Sequence, residues 1–167
     1  MTEAAEGARL TSIAARLVEQ ARKGGADVAE ASASSGWELT AKVRLGQPEL
    51  VQEAGHRGVA LRVMKDRRVA VTSSSDWTEA GLERCVSDAL SLVELSERDE
   101  FAGPADPALL SKGPYPDLDL FDESLDQLGA EAALELAERA ERLALEHDSR
   151  LTLSEGATWS RVSGWSA

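Results

Sequence analysis

Leu10, Ile13, Ala14, Leu17, Val18 and Ala21 recur at the i, i+3, i+4, i+7 spacing of one helix face. Gly24-Gly25 supplies the stop, because glycine tolerates the left-handed geometry beyond a helix end. The pattern then changes period. "DVAEASASS" alternates small apolar with polar residues and predicts a strand. In "WELTAKVRLG", Leu39, Ala41, Val43 and Leu45 face one way and Thr40, Lys42 and Arg44 the other, as in a half-buried antiparallel strand. Val59, Leu61 and Val63 alternate with Ala60, Arg62 and Met64; "KDRR" makes a turn, and Val69 and Val71 return on the next strand. Gly55 and Gly58 around His56-Arg57 predict a kink or bulge. Asp76 or Thr78 is placed to cap a second helix, whose buried stripe is Leu82, Cys85, Val86, Ala89, Leu90 and Val93.

Between Glu100 and Glu123 the periodicity lapses into "FAGPADPALLSKGPYPDLDLFDE", a stretch whose prolines neither continue helices nor donate to sheet interiors. Ser124 and Gln127 then form a capping box, S-x-x-Q, ahead of a predicted helix over 125–147. That helix is expected to bury Leu125, Leu128, Ala132, Leu136, Ala140 and Leu143. Leu151 and Leu153 begin a further strand for which no later partner arrives.

The expected fold class is therefore α+β. A four-stranded, mostly antiparallel sheet is covered by two helices on one face, then come a Pro-rich linker, a long helix and an incomplete strand. The implied domains are an N-terminal α+β domain at 1–98, a linker at 99–123, and the start of another domain, reading as truncated, at 124–167. On this reading the segment after 123 docks loosely or pairs with another chain, and residues 158–167 are poorly ordered.

Composition narrows the functional classes. Thirty acids against 18 bases give a net charge of −12, which phosphate backbones repel, so direct nucleic-acid binding is not expected. The lone Cys85 excludes an internal disulfide and a cysteine zinc cluster. The N-terminus is too acidic for a signal peptide, and no apolar run approaches the ~18 residues of a membrane span. A cytoplasmic, reducing location follows as the expectation.

Catalytic motifs are sparse. His56 and His147 lie in separate elements with no H-E-x-x-H and no ligand cluster around either. Asp117, Asp119, Asp122 and Glu123 fail the calcium-loop spacing, because Phe121 stands where an oxygen ligand belongs. Cys85 falls on an apolar helical stripe and reads as a core residue. Trp37 and Trp77 read as packing anchors, with ligand stacking the minor option. Glu131, Glu135, Glu138, Arg139, Glu141 and Arg142 read as a solvated helix face. The residues alone thus predict no catalytic, cofactor-binding or metal-binding site. A free-standing acidic module that binds a basic partner is one function compatible with this pattern.

The ordered series of segments resembles the TldD/PmbA (TldE) family. It comprises "GADVAE" at Gly25 to Glu30, the hairpin from Gly58 to Ser75 with Arg62 at the family's arginine position, and Asp99 to Pro107. "PDLDLFD" at Pro116 to Asp122 and "SEGA" at Ser154 to Ala157 continue it into the start of the family's central domain. The "DLDLFD" form resembles the PmbA/TldE branch more than TldD. The resemblance implies a cytosolic zinc metalloprotease system historically named as a modulator of DNA gyrase. In it a TldD-type subunit carries the zinc motif, H-E-x-x-x-H, and a PmbA/TldE-type subunit pairs with it. Zinc is then expected only in such a partner, unfolded peptide is the implied substrate, and a homo-oligomer is the other implied assembly. No zinc ligand carries over to a residue of this chain, so the chain is not expected to act as a peptidase alone.

Overall fold

The computed structural model describes residues 3–167, with side chains from residue 5 onward; Met1 and Thr2 of the expected first domain lie outside the described residues. The elements in chain order are α1 (Glu3–Lys23), β1 (Val28–Arg44), β2 (Gln47–Lys65), β3 (Arg68–Ser74) and α2 (Glu79–Leu95). A 3-10 turn at Pro107–Leu109, α3 (Glu123–Asp126), α4 (Ala130–His147) and β4 (Ala157–Ser166) complete the chain. The strands hydrogen-bond in the order β3-β2-β1-β4. The chain forms two compact units. One draws on the segments up to Ser35, Arg57–Pro116 and Trp165–Ala167; the other on Gly36–His56 and Asp117–Gly164.

In the first unit, α1 ends as its glycines predict. Gly25 takes φ +101°, Ala26 N–H donates to Ala21 O at 3.1 Å and Gly25 N–H to Arg22 O at 3.1 Å. These are the two bonds of a Schellman cap. Leu10, Leu17, Val59, Leu61, Val63, Leu82 and Val93 share one buried cluster, with Ala29 and Ala31 of β1 packed against it. The helix stripes therefore meet Ala29, Ala31 and Ala33 of β1, Val59, Leu61 and Val63 of β2 and Ala70 of β3 in one core. Cys85 is buried in that cluster, as its position on the stripe implied. Thr78 is the cap of α2, its hydroxyl accepting from Gly81 N–H, while the Asp76 carboxylate accepts from both Thr78 N–H and Thr78 Oγ1. The β2–β3 turn puts Asp66 and Arg67 at φ +50° and +61°, the mirror-image turn that suits strand twist. The Asp27 carboxylate accepts Asp66 N–H at 2.9 Å and holds this turn.

The structure departs from the sequence expectation in several places. The strands expected around 27–35 and 37–46 are one 17-residue strand, β1, and the fourth strand of the sheet is β4. Of residues 158–167, expected to be poorly ordered, 158–166 are part of β4, and Ala167 just beyond its end pairs with β1: Ala33 and Ala167 exchange both backbone hydrogen bonds at 2.9 Å. Thr40 Oγ1 and Ser160 Oγ, further along the pair, lie 3.1 Å apart. The kink expected at Gly55–Gly58 does not interrupt β2. Gly55 instead makes room for Trp37, whose ring atoms would lie 2.8–3.0 Å from a Cβ there.

The helix expected over 125–147 is two helices. Asp122, not Ser124, caps α3 by accepting from Ser124 N–H, and the chain breaks before α4 at Gly129, which is extended and offers no side-chain cap. The buried face of α4 is Ala133, Ala137 and Glu141, while Leu136 and Leu143 stay exposed. Ala133 meets Leu39 and Ala41, with Leu134 and Trp159 alongside. Two alanines on the contacting face let a helix approach strands closely, so tertiary contact overrides the leucine periodicity.

Glu141 does not belong to a solvated face. It is 3% exposed, and its carboxylate oxygens accept Leu45 N–H and Gly46 N–H at 2.9 Å each. Leu45 and Gly46 have φ +51° and +71° and form the β1–β2 turn. A leucine in the left-handed region is strained, and the buried carboxylate offsets that cost by satisfying both turn donors. Bonds from Gly46 N–H, the Ser154 hydroxyl and Leu45 N–H hold the Glu141 pKa below its ordinary value of 4.5. A carboxyl whose folded pKa is depressed contributes stability above its unfolded pKa and loses it as pH falls through the folded value. The thermal midpoint of Glu141→Gln is therefore expected to lie below that of the parent at neutral pH, with the gap closing as pH drops below about 4.5. A gap that stays constant from neutral pH to pH 3, roughly a unit below an ordinary carboxyl, would refute the clamp.

Candidate functional site

One concavity of the first unit lies between β3 and the second helix, with a cavity volume of about 540 Å³. Thr72 and Ser74 line it from the strand; Arg84, Cys85, Asp88 and Leu92 line it from α2. The sequence places these side chains together simply. Pairing of Arg62 with Val71 and Leu61 with Thr72 fixes the register of β3, and the Thr78 cap starts α2 so that every third or fourth residue faces the strand.

The chemistry available in this groove is that of binding. Thr72 Oγ1 donates to Cys85 O at 3.0 Å and stands 3.3 Å from Cys85 Sγ, so the hydroxyl and thiol are engaged with each other and with backbone. Asp76 at its end is held ionised: hydrogen bonds from the Thr78 hydroxyl and N–H lower its pKa, assisted by Arg84 and Arg57. An ionised, capped aspartate positions a helix and does not serve as a general acid at neutral pH. His56 belongs to the β2 segment of the other unit, against Gly36, and His147 ends α4, so neither histidine is brought to this groove. Among the described residues, no group of three His, Cys, Asp or Glu side chains is placed to hold a metal ion. None of their helices is long and apolar enough to cross a membrane.

Trp37 and Trp77 separate in role. Trp37 is 58% exposed and its ring covers Gly55. Trp77 packs against the core of the first unit and has two guanidinium groups, Arg9 and Arg57, 5.0 and 5.7 Å from its ring centroid. Sequence reasoning missed this cluster because Arg9, Arg57 and Trp77 are far apart along the chain. Glu30 and Arg62, which lie in two of the family-like segments, pair across β1 and β2 at 2.8 Å.

Comparison with known proteins agrees with this architecture. Residues 29–93 match the family model described as PmbA/TldA metallopeptidase domain 1. The chain is 33% identical over 136 residues to metalloprotease PmbA from Escherichia coli O157:H7, covering 81% of this chain and 30% of that protein. It is 30% identical over 147 residues to a metalloprotease PmbA homolog from Haemophilus influenzae, covering 88% of this chain and 32% of the other. The fold is shared with a crystal structure from Bacteroides thetaiotaomicron, provisionally named a modulator of DNA gyrase, at TM-score 0.75 and 23% identity. That match covers 93% of this chain and 39% of the other. TldE from Thermococcus kodakarensis gives TM-score 0.64 at 16% identity, over 93% of this chain and 35% of that one. The chain thus spans about a third of the length of the curated relatives it matches. Fold, segment order and sequence identity agree, and the chain belongs to the PmbA/TldD/TldE (modulator of DNA gyrase) family, whose N-terminal and early central region it matches.

Proposed function

We propose that this chain is the N-terminal portion of a PmbA/TldE-like subunit of a cytoplasmic TldD/TldE-type zinc metalloprotease system acting on unfolded peptides. Its part is assembly or substrate access and not bond cleavage. Residues 1–98 are the first domain on this reading, 99–123 the linker and 124–167 the beginning of the central domain. The observation that carries the proposal is the match to metalloprotease PmbA over 81% of the chain. Two further features support it. The groove at β3 presents a hydroxyl and a buried thiol hydrogen-bonded to each other and to backbone, beside a carboxylate engaged in capping. Among the described residues no trio of metal-ligating side chains is gathered. Zinc is assigned to a TldD-type partner.

The test is co-expression with a TldD-type subunit. The two chains are expected to co-purify at moderate salt, and zinc-dependent cleavage of an unfolded peptide is expected only in the presence of that partner. Zinc-dependent cleavage by the purified chain alone, or failure to associate at any ionic strength, would overturn the assignment. Association that dissolves steeply as salt shortens the screening length to about 3 Å at 1 M would favour the acidic interaction module instead.

A further inference from the structure

We propose that the cleft between α1 and Trp77 is a binding site for a carboxylate ligand carrying a short apolar substituent, such as the C-terminal residue of a peptide. The proposal stands independently of the protease reading, because it rests on a local set of donors in the first unit. Arg9, Ser12, Ile13 and Arg16 lie at i, i+3, i+4 and i+7 and present one stripe of α1. With Trp77 and Leu82 they line a cavity of about 260 Å³.

The stripe is rich in donors and short of acceptors. Arg16 Nε and Trp77 Nε1 are buried N–H donors without a hydrogen-bond partner, and each forfeits on burial the bond it would make to water. Native structures rarely keep two such donors on neighbouring side chains without a reason. The acids nearby do not remove the imbalance. Glu6 meets Arg9 at 3.4 Å but also accepts the Ser35 hydroxyl at 2.7 Å. Glu79 meets Arg16 at 2.7 Å through Nη1. Arg57 brings a second guanidinium to Trp77 and donates to Ser75 O. Asp76, which faces Arg57, is faced in turn by Arg84. Arg9, Arg16 and Arg57 are thus met in formal charge by Glu6, Glu79 and Asp76, and what stays unmet is the hydrogen-bonding capacity of Arg16 Nε and Trp77 Nε1.

Those unmet donors select the ligand. A carboxylate offers two acceptor oxygens with a single negative charge, whereas a phosphate dianion would bring two beside Glu6 and Glu79. A carboxylate is planar and accepts from a guanidinium fork in parallel bonds. The other half of the cleft is apolar: Leu82 is buried, Ile13 is half-buried, and the Trp77 ring offers a flat surface. A carboxylate with an adjoining aliphatic side chain matches both halves, while an unsubstituted anion matches only one.

The test uses the intact chain labelled with ¹⁵N at tryptophan, with the Trp77 indole N–H assigned through Trp77→Phe. N-acetyl-leucine is expected to shift that resonance saturably at millimolar concentration, and N-acetyl-leucinamide, which lacks the charge, is expected not to. Arg9→Gln and Arg16→Gln should each weaken binding by about tenfold, the loss of one charge-assisted hydrogen bond, and Ser12→Ala less. Indole spectra of the ligand-free variants that superimpose on the parent away from Trp77 establish that they remain folded. Absence of a shift with N-acetyl-leucine overturns the proposal. An equal shift with the amide reduces the site to apolar contact and overturns it, as does tighter binding of inorganic phosphate than of the carboxylate.

Discussion

Leu61→Ala is expected to lower the unfolding free energy by about 2–5 kcal/mol, the range for a fully buried leucine cut to alanine. Leu61 has no exposed surface, sits on β2 between the equally buried Val59 and Val63, and packs in the cluster that both long helices of the first unit share. Truncation removes the transfer energy of the side chain and leaves a hole that close-packed neighbours refill only in part. Against a typical domain stability of about 5–15 kcal/mol, the loss is large enough to leave a measurable unfolded population under mild urea. Leu50→Ala is the matched control: Leu50 is 43% exposed, and its removal is expected to change stability by no more than about 0.5 kcal/mol. Urea titration followed by far-ultraviolet circular dichroism gives both values. Equal effects at the two positions would mean that the cluster around Leu61 is not the core.

Gly36→Ala is expected to cost about 1–3 kcal/mol, as overpacking of a tight site does, although alanine ordinarily favours a strand over glycine. A Cβ at this position would lie 2.6 Å from the backbone oxygen of Ser163 and 2.6 Å from the His56 ring. The imidazole has freedom to rotate away, but the Ser163 oxygen belongs to β4, so relief requires the β1–β4 pair to shift. The change should appear as a lower thermal midpoint and faster amide exchange in Thr158–Gly164, with the first unit's helices unaffected. An unchanged midpoint with unchanged exchange would place β4 elsewhere.

What the sequence disclosed follows the range of the interactions. The stripes of α1 and α2, the Thr78 cap and the turn at Asp66-Arg67 depend on residues close along the chain, and periodicity and turn chemistry locate them. Gly36 falls between the two segments expected as separate strands, and glycine's lack of a side chain has the same signature in a turn as beneath a neighbouring strand. On α4 the leucines set the strongest period, yet Ala133, Ala137 and Glu141 face inward. Which face of a helix is used depends on what meets it, and the meeting strand lies far away in sequence. Glu141 is the sharpest instance: among several surface acids of the same helix, only its position opposite the Leu45-Gly46 turn sets it apart. The site was illegible for a similar reason. The arginine stripe on α1 has helical spacing, but Trp77 joins it only after the sheet has formed between them.

The β1–β4 pairing also bears on how the protein is made. Thr40 and its neighbour Ser160 are 120 residues apart, so on the ribosome β1 is finished long before its outer partner exists. At about 5–20 residues per second, that gap lasts roughly 6–24 s. During it the nascent chain carries an unpaired strand edge, a ready template for pairing with a neighbouring chain. The hairpin of β1 with β2 closes early, but the last strand arrives late, and the interval between them is when this polypeptide most needs a chaperone.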